Sequence, residues 1–282
     1  MHPAKRLREM LRDQAMVVAP GAYDGISARM IEQAGFDAVY MTGAGTAARL
    51  GYPDFGLITM TEMVENAAVI ARSVSIPLIS DADTGYGNEL NVTRTVHEFE
   101  ARNVAAIHIE DQVAPKRCGH LDGKEIVPRS EFITKIKAAV AARKNPDFLV
   151  IARTDARAVV DLDEAIARSR EALAAGADMI FLEATQSLEE MAAVPRRVNG
   201  PCLLNMVMGG KTPLVSLDEA REMGYKMAIL PGLCLRNAIA TFDRVLKEVK
   251  DTGRMASVSP GFKVADGFRR FGADEWDALR AK

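Results

Sequence analysis

What this chain has little of narrows it first. Only three cysteines occur in 282 residues, Cys118, Cys202 and Cys234, and none is paired with another at CxxC spacing. So sparse and odd a set supports neither a disulfide framework nor a structural zinc site, and it suits a reduced, cytoplasmic setting. Histidine is scarce at four residues, a second argument against zinc. No apolar run approaches the roughly 18 residues that a membrane-spanning helix needs. Residues 1–14 are charged and helical in character, without the apolar centre of a secretory signal. Neither sign of charge dominates: 36 Lys and Arg stand against 38 Asp and Glu, a net charge of −2 with the basic residues scattered. That balance excludes a nucleic-acid surface driven by bulk electrostatics and gives no sign of a membrane partner.

What is present is ordinary globular composition, 48% hydrophobic and 26% charged. Short apolar runs at 16–20, 38–42, 78–81, 105–109, 149–153, 179–183, 202–206 and 227–230 read as strands buried on both faces. Helical patterns lie between them at 27–34, 61–72, 90–102, 130–142, 163–175, 188–198, 217–223 and 233–250, several ended by glycine. Strictly alternating βα units imply a parallel sheet, and eight of them imply an α/β fold of the (β/α)8 TIM type, with residues 1–282 as a single barrel domain. The absence of a GxGxxG stretch after the first strand weighs against an open doubly wound sheet. Active sites of such barrels lie at the C-terminal ends of the strands. Those ends carry Tyr40 and Thr42, Asp81 and Asp83, His108 and Glu110, Arg153, Glu183 and Asn205, with Arg236 just past the last strand.

Asp81 and Asp83, two apart on an extended segment, would point the same way. Two facing carboxylates repel unless a proton or cation intervenes, and hard oxygen donors suit Mg²⁺, with Mn²⁺ as a substitute. The alternative is that both merely cap a helix or close a turn. Arg153 and Arg236 offer forked donors to a carboxylate substrate, or salt bridges to neighbouring acids. In the stretch Lys116-Arg117-Cys118-Gly119-His120 three cations flank one thiol. Such neighbours would lower its pKa toward neutrality and fit it for proton transfer, or for attack on a substrate as a nucleophile. Gly119 would let the loop close over a ligand. His108 is either a hydrogen-bonded barrel residue or a donor in the site. Tyr40 is either packing or an ionisable group beside the metal.

Taken together, Gly21-Ala22-Tyr23-Asp24, Tyr40-Met41-Thr42-Gly43, Asp81-Ala82-Asp83-Thr84-Gly85-Tyr86-Gly87, Ile109-Glu110-Asp111-Gln112, Lys116 to His120, Ala152-Arg153-Thr154-Asp155 and Asn205-Met206-Val207 resemble the isocitrate lyase and phosphoenolpyruvate mutase superfamily over nearly the whole chain. Lys-Arg-Cys-Gly-His is similar to the lyase branches, and the segment 205–213 is similar to the 2,3-dimethylmalate lyase and oxaloacetate hydrolase branches. Met208 stands where that subgroup usually has an acidic residue.

The resemblance implies roles. Asp81 and Asp83 would hold Mg²⁺ with Glu110 behind them. Thr42, Gly43, Ala44 and Arg153 would bind the oxo-acid half of the substrate, and Gly119, Glu183, Asn205 and Arg236 the other carboxylated half. Cys118 would protonate the carbanion, Tyr40 would take the hydroxyl proton, and Lys116, His108 and His120 would complete the catalytic set. The implied reaction is cleavage of a 2-hydroxy di- or tricarboxylate, of 2,3-dimethylmalate or 2-methylisocitrate type, to a 2-oxo acid and a carboxylic acid. Hydrolysis of oxaloacetate to oxalate and acetate is the alternative, and a mutase reaction on phosphoenolpyruvate a more distant one. The resemblance also implies a homotetramer, a dimer of dimers, in which a C-terminal helix swaps between subunits and about 250–282 packs on a partner; the apolar stretches 233–249 and 260–276 are consistent with that.

Overall fold

The computed structural model describes residues 1–255, 261 and 263–280. Residues 260 and 262 of the apolar tail, and 281 and 282 at its end, lie outside them. Eight parallel strands, β1 (Val17–Ala22), β2 (Val39–Met41), β3 (Leu78–Asp81), β4 (Ala106–Glu110), β5 (Leu149–Thr154), β6 (Met179–Leu182), β7 (Cys202–Asn205) and β8 (Met227–Leu230), close in sequence order into a barrel. Parallel pairing of β1 with β8, Val17 opposite Met227 and Pro20 opposite Leu230, completes the ring.

The helices are α1 (Pro3–Asp13), α2 (Gly25–Gln33), α3 (Gly43–Arg49), α4 (Met60–Ser73), α5 (Glu89–Glu100), α6 (Arg129–Ala142), α7 (Ala156–Val159), α8 (Leu162–Ala174), α9 (Leu188–Val198), α10 (Leu217–Glu222), α11 (Leu233–Thr252), α12 (Val264–Arg269) and α13 (Ala273–Ala278). Most begin at a side chain that accepts a backbone N–H: Asp24, Thr59, Asn88, Asp161, Ser187 and Ser216 cap α2, α4, α5, α8, α9 and α10.

Strand parity decides what faces where. Outward residues such as Val39, Leu78, Ile107, Ile109 and Val150 pack against helices on one side of the barrel, and Ile180, Leu182, Cys202 and Leu204 do so on the other. Inward residues Ala19, Tyr40, Ile79, Ala106, Ile151, Phe181, Leu203 and Ile229 fill the barrel, and Ala4, Leu7 and Met10 of α1 belong to the same cluster. The chain divides into two compact units, Met1–Cys234 and Leu235–Lys282. The barrel belongs to the first. The second carries most of α11, with α12 and α13.

Candidate active site

The polar residues expected at the strand ends continue the inward parity of the barrel's own filling. On β3 Asp81 follows Ile79. On β4 His108 and Glu110 follow Ala106. On β5 Arg153 follows Ile151, on β6 Glu183 follows Phe181, and on β7 Asn205 follows Leu203. The period of two along a strand carries them to the same face as the apolar layers below. The mouth is thus the polar top layer of the interior, and Asp81, Asp83, His108, Glu110, Arg153 and Glu183 are all buried there.

The acidic cluster forms on the β3 and β4 side. Asp81 does not cap the helix that follows it, since Asn88 caps α5. Its Oδ1 accepts the Asp83 N–H at 2.9 Å, and its Oδ2 accepts the Gly43 N–H at 3.2 Å. A Cβ on residue 43 would stand 2.4 Å from that same Oδ2, so only glycine lets the backbone approach. Asp83 lies beyond β3 with φ +44°, not on an extended segment; the left-handed turn, rather than strand alternation, sets its direction.

Lys116 answers the cluster electrically. Its Nζ is 2.5 Å from Asp54 Oδ1 and 3.1 Å from Asp83 Oδ1. Burial opposes its charge, but Asp83, Asp54, Glu110 and Asp81 hold its proton on far more firmly than in water. Burial pushes the Asp83 carboxyl up to about 6, with Lys116 opposing and Asp81 adding to the rise. Burial likewise drives Glu110 well up, against Arg153 and Lys116. Asp81 goes the other way: burial would raise it, but His108, Lys116 and Arg153 outweigh that and lower it.

Among the described residues no three His, Cys, Asp or Glu side chains converge as a ready cage for a metal ion. Yet buried Glu110 Oε1 and Tyr86 Oη have no partner there, while Asp83 Oδ1 and Glu110 Oε2 meet only the ion-pair contacts of Lys116 and Arg153. Buried polar atoms without partners are costly, so oxygen donors in that condition mark a place for a hydrated cation. Mg²⁺ typically takes one or two protein carboxylates and keeps several waters, which this donor set fits. A cavity of about 420 Å³ opens beside it, lined in part by Asp83, Tyr86 and Lys116.

Tyr40 and His108 form a pair below the cluster. Tyr40 Oη is 2.8 Å from His108 Nε2, which is 3.6 Å from Asp81 Oδ1. Burial lowers His108 to about 4 despite Asp81, so the ring is neutral. Burial and then Asp81 hold the Tyr40 proton on, well above the usual phenol range. With its proton held on, Tyr40 donates a hydrogen bond here.

The opposite side is built on Arg153. Its guanidinium stands over the Phe181 ring, 4.9 Å from the centroid. It reaches Glu110 Oε2 at 3.1 Å, Asp155 Oδ2 at 3.1 Å and Glu183 Oε2 at 3.5 Å. Asn205 Nδ2 donates to Glu183 Oε2 at 3.0 Å. Thr42 turns its hydroxyl to cap α3, accepting the Gly45 N–H, and Ala44 lies in the first turn of that helix. Arg236 lies on α11 in the second unit.

The Lys116 to His120 loop is folded down onto this side. A Cβ on Gly119 would lie 2.5 Å from Arg153 Nη2 and 2.6 Å from Glu183 Cγ. His120 Nε2 is 3.4 Å from Glu183 Oε1, and its Nδ1 accepts the Lys211 N–H at 3.1 Å. The Cys118 thiol differs from expectation. Burial raises it above its ordinary value, and the His120 backbone N–H, Arg153 and Lys116 only partly offset that. Lys116 is engaged by Asp54 and Asp83, and burial lowers His120, so neither lends the thiol the charge its place in the chain suggests. Cys118 is thus held as a thiol, the form a proton donor needs and a nucleophile does not.

Three residues escape a sequence reading. Asp54 pairs with Lys116 across 62 positions, Lys124 Nζ meets Asp155 Oδ1 at 2.8 Å across 31, and the Tyr86 hydroxyl is buried beside the acids. Only Tyr86 carried a signal, being inside the quoted Asp81 to Gly87 stretch.

The phosphoenolpyruvate phosphomutase family matches residues 7–250. The chain is 51% identical to the 2,3-dimethylmalate lyase of Eubacterium barkeri, over 82% of this chain and 80% of that one. It is 44% identical to the 2-methylisocitrate lyase of Aeropyrum pernix, over 91% and 82%. Among solved structures, oxaloacetate acetylhydrolase in complex with the inhibitor 3,3-difluorooxalacetate superposes with a TM-score of 0.95 at 40% identity, covering 99% of this chain and 96% of that one.

Proposed function

The chain belongs to the isocitrate lyase and phosphoenolpyruvate mutase superfamily and is a carbon–carbon lyase, and on that premise we propose that it cleaves a 2-hydroxy di- or tricarboxylate of the 2,3-dimethylmalate or 2-methylisocitrate type. The observation that carries this reading is the placement of a proton-bearing Cys118 on a loop packed against Arg153 and Glu183, in the mouth that also holds Asp81, Asp83 and Glu110.

In this reading Asp81 and Asp83 would hold Mg²⁺, or Mn²⁺ in its place, with Glu110 behind them, and a bound ion would supply positive charge that stabilises the oxyanion of the reaction. Arg153, with Thr42, Gly43 and Ala44, orients the oxo-acid half. Gly119, Glu183 and Asn205 orient the other half. The substrate hydroxyl passes its proton to water in the mouth, the C–C bond breaks as the carbonyl forms, and Cys118 gives its S–H proton to the departing carbon, the thiolate regaining one from solvent afterwards. The thiolate left behind meets the His120 backbone N–H and the charges of Arg153 and Lys116. Tyr40, bonded to His108, orients the mouth from below. His120 ties the closed loop to Glu183.

For assembly we adopt a dimer of dimers in which the C-terminal segment packs on a partner subunit. Support comes from α11, where Ile239, Phe242 and Leu246 share one helical face and are exposed. No helix among the described residues is long and apolar enough to cross a membrane.

The test is a panel of 2,3-dimethylmalate, 2-methylisocitrate, isocitrate and oxaloacetate with Mg²⁺, following pyruvate, glyoxylate and oxalate separately. Pyruvate release from either methylated substrate supports the reading. Oxalate release from oxaloacetate as the fastest reaction replaces it with hydrolysis, the second reading, which the likeness to oxaloacetate acetylhydrolase brings in. No turnover of any of the four overturns both.

A further inference from the structure

Lys124 is a buried cation beside the mouth that takes no part in the proposed chemistry. Lys124 lies beyond the Cys118 loop, past Gly123, with only 2% of its side chain exposed, against an Asp155 that is wholly buried. An ammonium so placed loses several kcal/mol of hydration unless partners replace it. It has two: Asp155 Oδ1 at 2.8 Å and the carbonyl oxygen of Gly119, to which Nζ also donates.

Both partners matter to geometry rather than to bulk stability. The Gly119 carbonyl belongs to the residue after Cys118, whose backbone rests on Arg153 and Glu183. The second oxygen of Asp155 accepts from Arg153 Nε at 3.1 Å. One carboxylate therefore links the closed loop, through Lys124, to the arginine that orients substrate. Arg153 and Lys124 hold that carboxyl down to about 2 against the effect of burial, so the link stays charged across the working range.

The rest of the loop is held at its neck and by Lys116 on Asp54 and Asp83. Gln112 and Ile126 form an antiparallel bridge, Val113 N–H donates to the Glu125 carbonyl at 2.9 Å, and the Gln112 side chain exchanges hydrogen bonds with the backbone of Arg117. Between Arg117 and the neck, contacts outside the loop run through Gly119, through His120 to Glu183 and Lys211, and through exposed Asp122 to Lys211. Lys124 reaches back inside the loop to the first of these.

We propose that Lys124 is a positioning residue, a latch that fixes the closed loop on Asp155 and so sets Cys118 over the reacting carbon. The inference rests on the lyase reading, but the latch itself is a statement about loop position and is tested without turnover. The experiment compares the parent chain with Lys124→Met, which keeps length and removes charge, and Lys124→Arg, which keeps charge. Alkylation of Cys118 by iodoacetamide at neutral pH is followed by peptide mass mapping, with buried Cys202 in the same sample as the control for global loosening.

In Lys124→Met, Cys118 should alkylate at least roughly tenfold faster while Cys202 does not change, because an open loop restores solvent to the thiol. Lys124→Arg should return most of that protection. With a cleaved substrate in hand, kcat of Lys124→Met should fall by roughly 100-fold with little change in KM, as expected for a misplaced donor. An unchanged Cys118 alkylation rate in Lys124→Met overturns the latch, as does equal acceleration at Cys202, which would make Lys124 a stability residue only. If no substrate turns over, the alkylation arm still decides.

Discussion

Tyr40 Oη and His108 Nε2 stand 2.8 Å apart inside the barrel, with the phenol proton held on and the imidazole neutral. That assigns the roles: Tyr40 donates, Nε2 accepts, and the ring proton sits on Nδ1, which has no partner among the described residues. The pair is buried beneath the acidic cluster, so its loss is felt without relief from solvent. Tyr40→Phe should destabilise the fold by about 1–3 kcal/mol, the cost of leaving a buried acceptor unpaired. Urea denaturation measures it, and an unchanged midpoint would mean that the bond contributes nothing.

The raised thiol of Cys118 gives a pH dependence with a definite sign. A donor works only while protonated. Burial lifts this thiol above its ordinary value of 9.0, so cleavage should hold through the mildly alkaline range and fall only as pH rises past the raised value. Cys118→Ser should stay folded and bind metal, and should cleave roughly 100- to 10,000-fold more slowly, without that alkaline limb. Activity that begins to fall near pH 7 in the parent chain would mean the thiol is ionised there after all.

Asp81 makes its case through a neighbour it holds. Its two oxygens already accept the Asp83 and Gly43 N–H groups, which aims the carboxylate and leaves lone pairs for a cation. Asp81→Asn keeps the shape but swaps one acceptor for a donor and removes a charge. Mg²⁺ affinity should fall by at least roughly tenfold, read by calorimetric titration in the absence of substrate. Equal affinity in the variant places the ion elsewhere.

How much of this was legible depends on distance along the chain. The barrel was, because eight apolar runs alternate with helical periods, and β3 and β8 fall at the expected residues. The apolar run at 16–20 stops two residues short of the C-terminal end of β1, since Pro20-Gly21 looks like a break yet Pro20 continues in register with Leu230. Helix α3 is not legible in the sequence because Gly43-Ala44-Gly45 gives no apolar period. The strand-end residues were visible as a list; strand parity explains why they meet. What sequence neighbours could not convey was charge. Lys116 flanks Cys118 in the chain but spends its ammonium on Asp54 and Asp83, which reversed the expected shift of the thiol. Asp54 and Lys124 act through partners dozens of residues away, a pairing only the folded chain reveals.

Gly119 offers the sharpest separation of fold from function. A methyl group there would lie 2.5 Å from Arg153 Nη2 and 2.6 Å from Glu183 Cγ, closer than any real contact allows. Both neighbours are pinned, Arg153 by Glu110 and Asp155, Glu183 by Asn205, so they cannot retreat cheaply. The loop itself must lift. Its neck at Gln112 and Ile126 lies outside the clash, so the barrel should be untouched. Gly119→Ala should therefore unfold at the parent temperature to within a few degrees, bind Mg²⁺ normally, and lose roughly 100-fold in kcat because Cys118 no longer reaches the carbon. Thermal melts, metal titration and turnover on one preparation check the three parts together. Full activity in this variant would show that cleavage proceeds with the loop raised, and Cys118 would then lose its place as the proton donor.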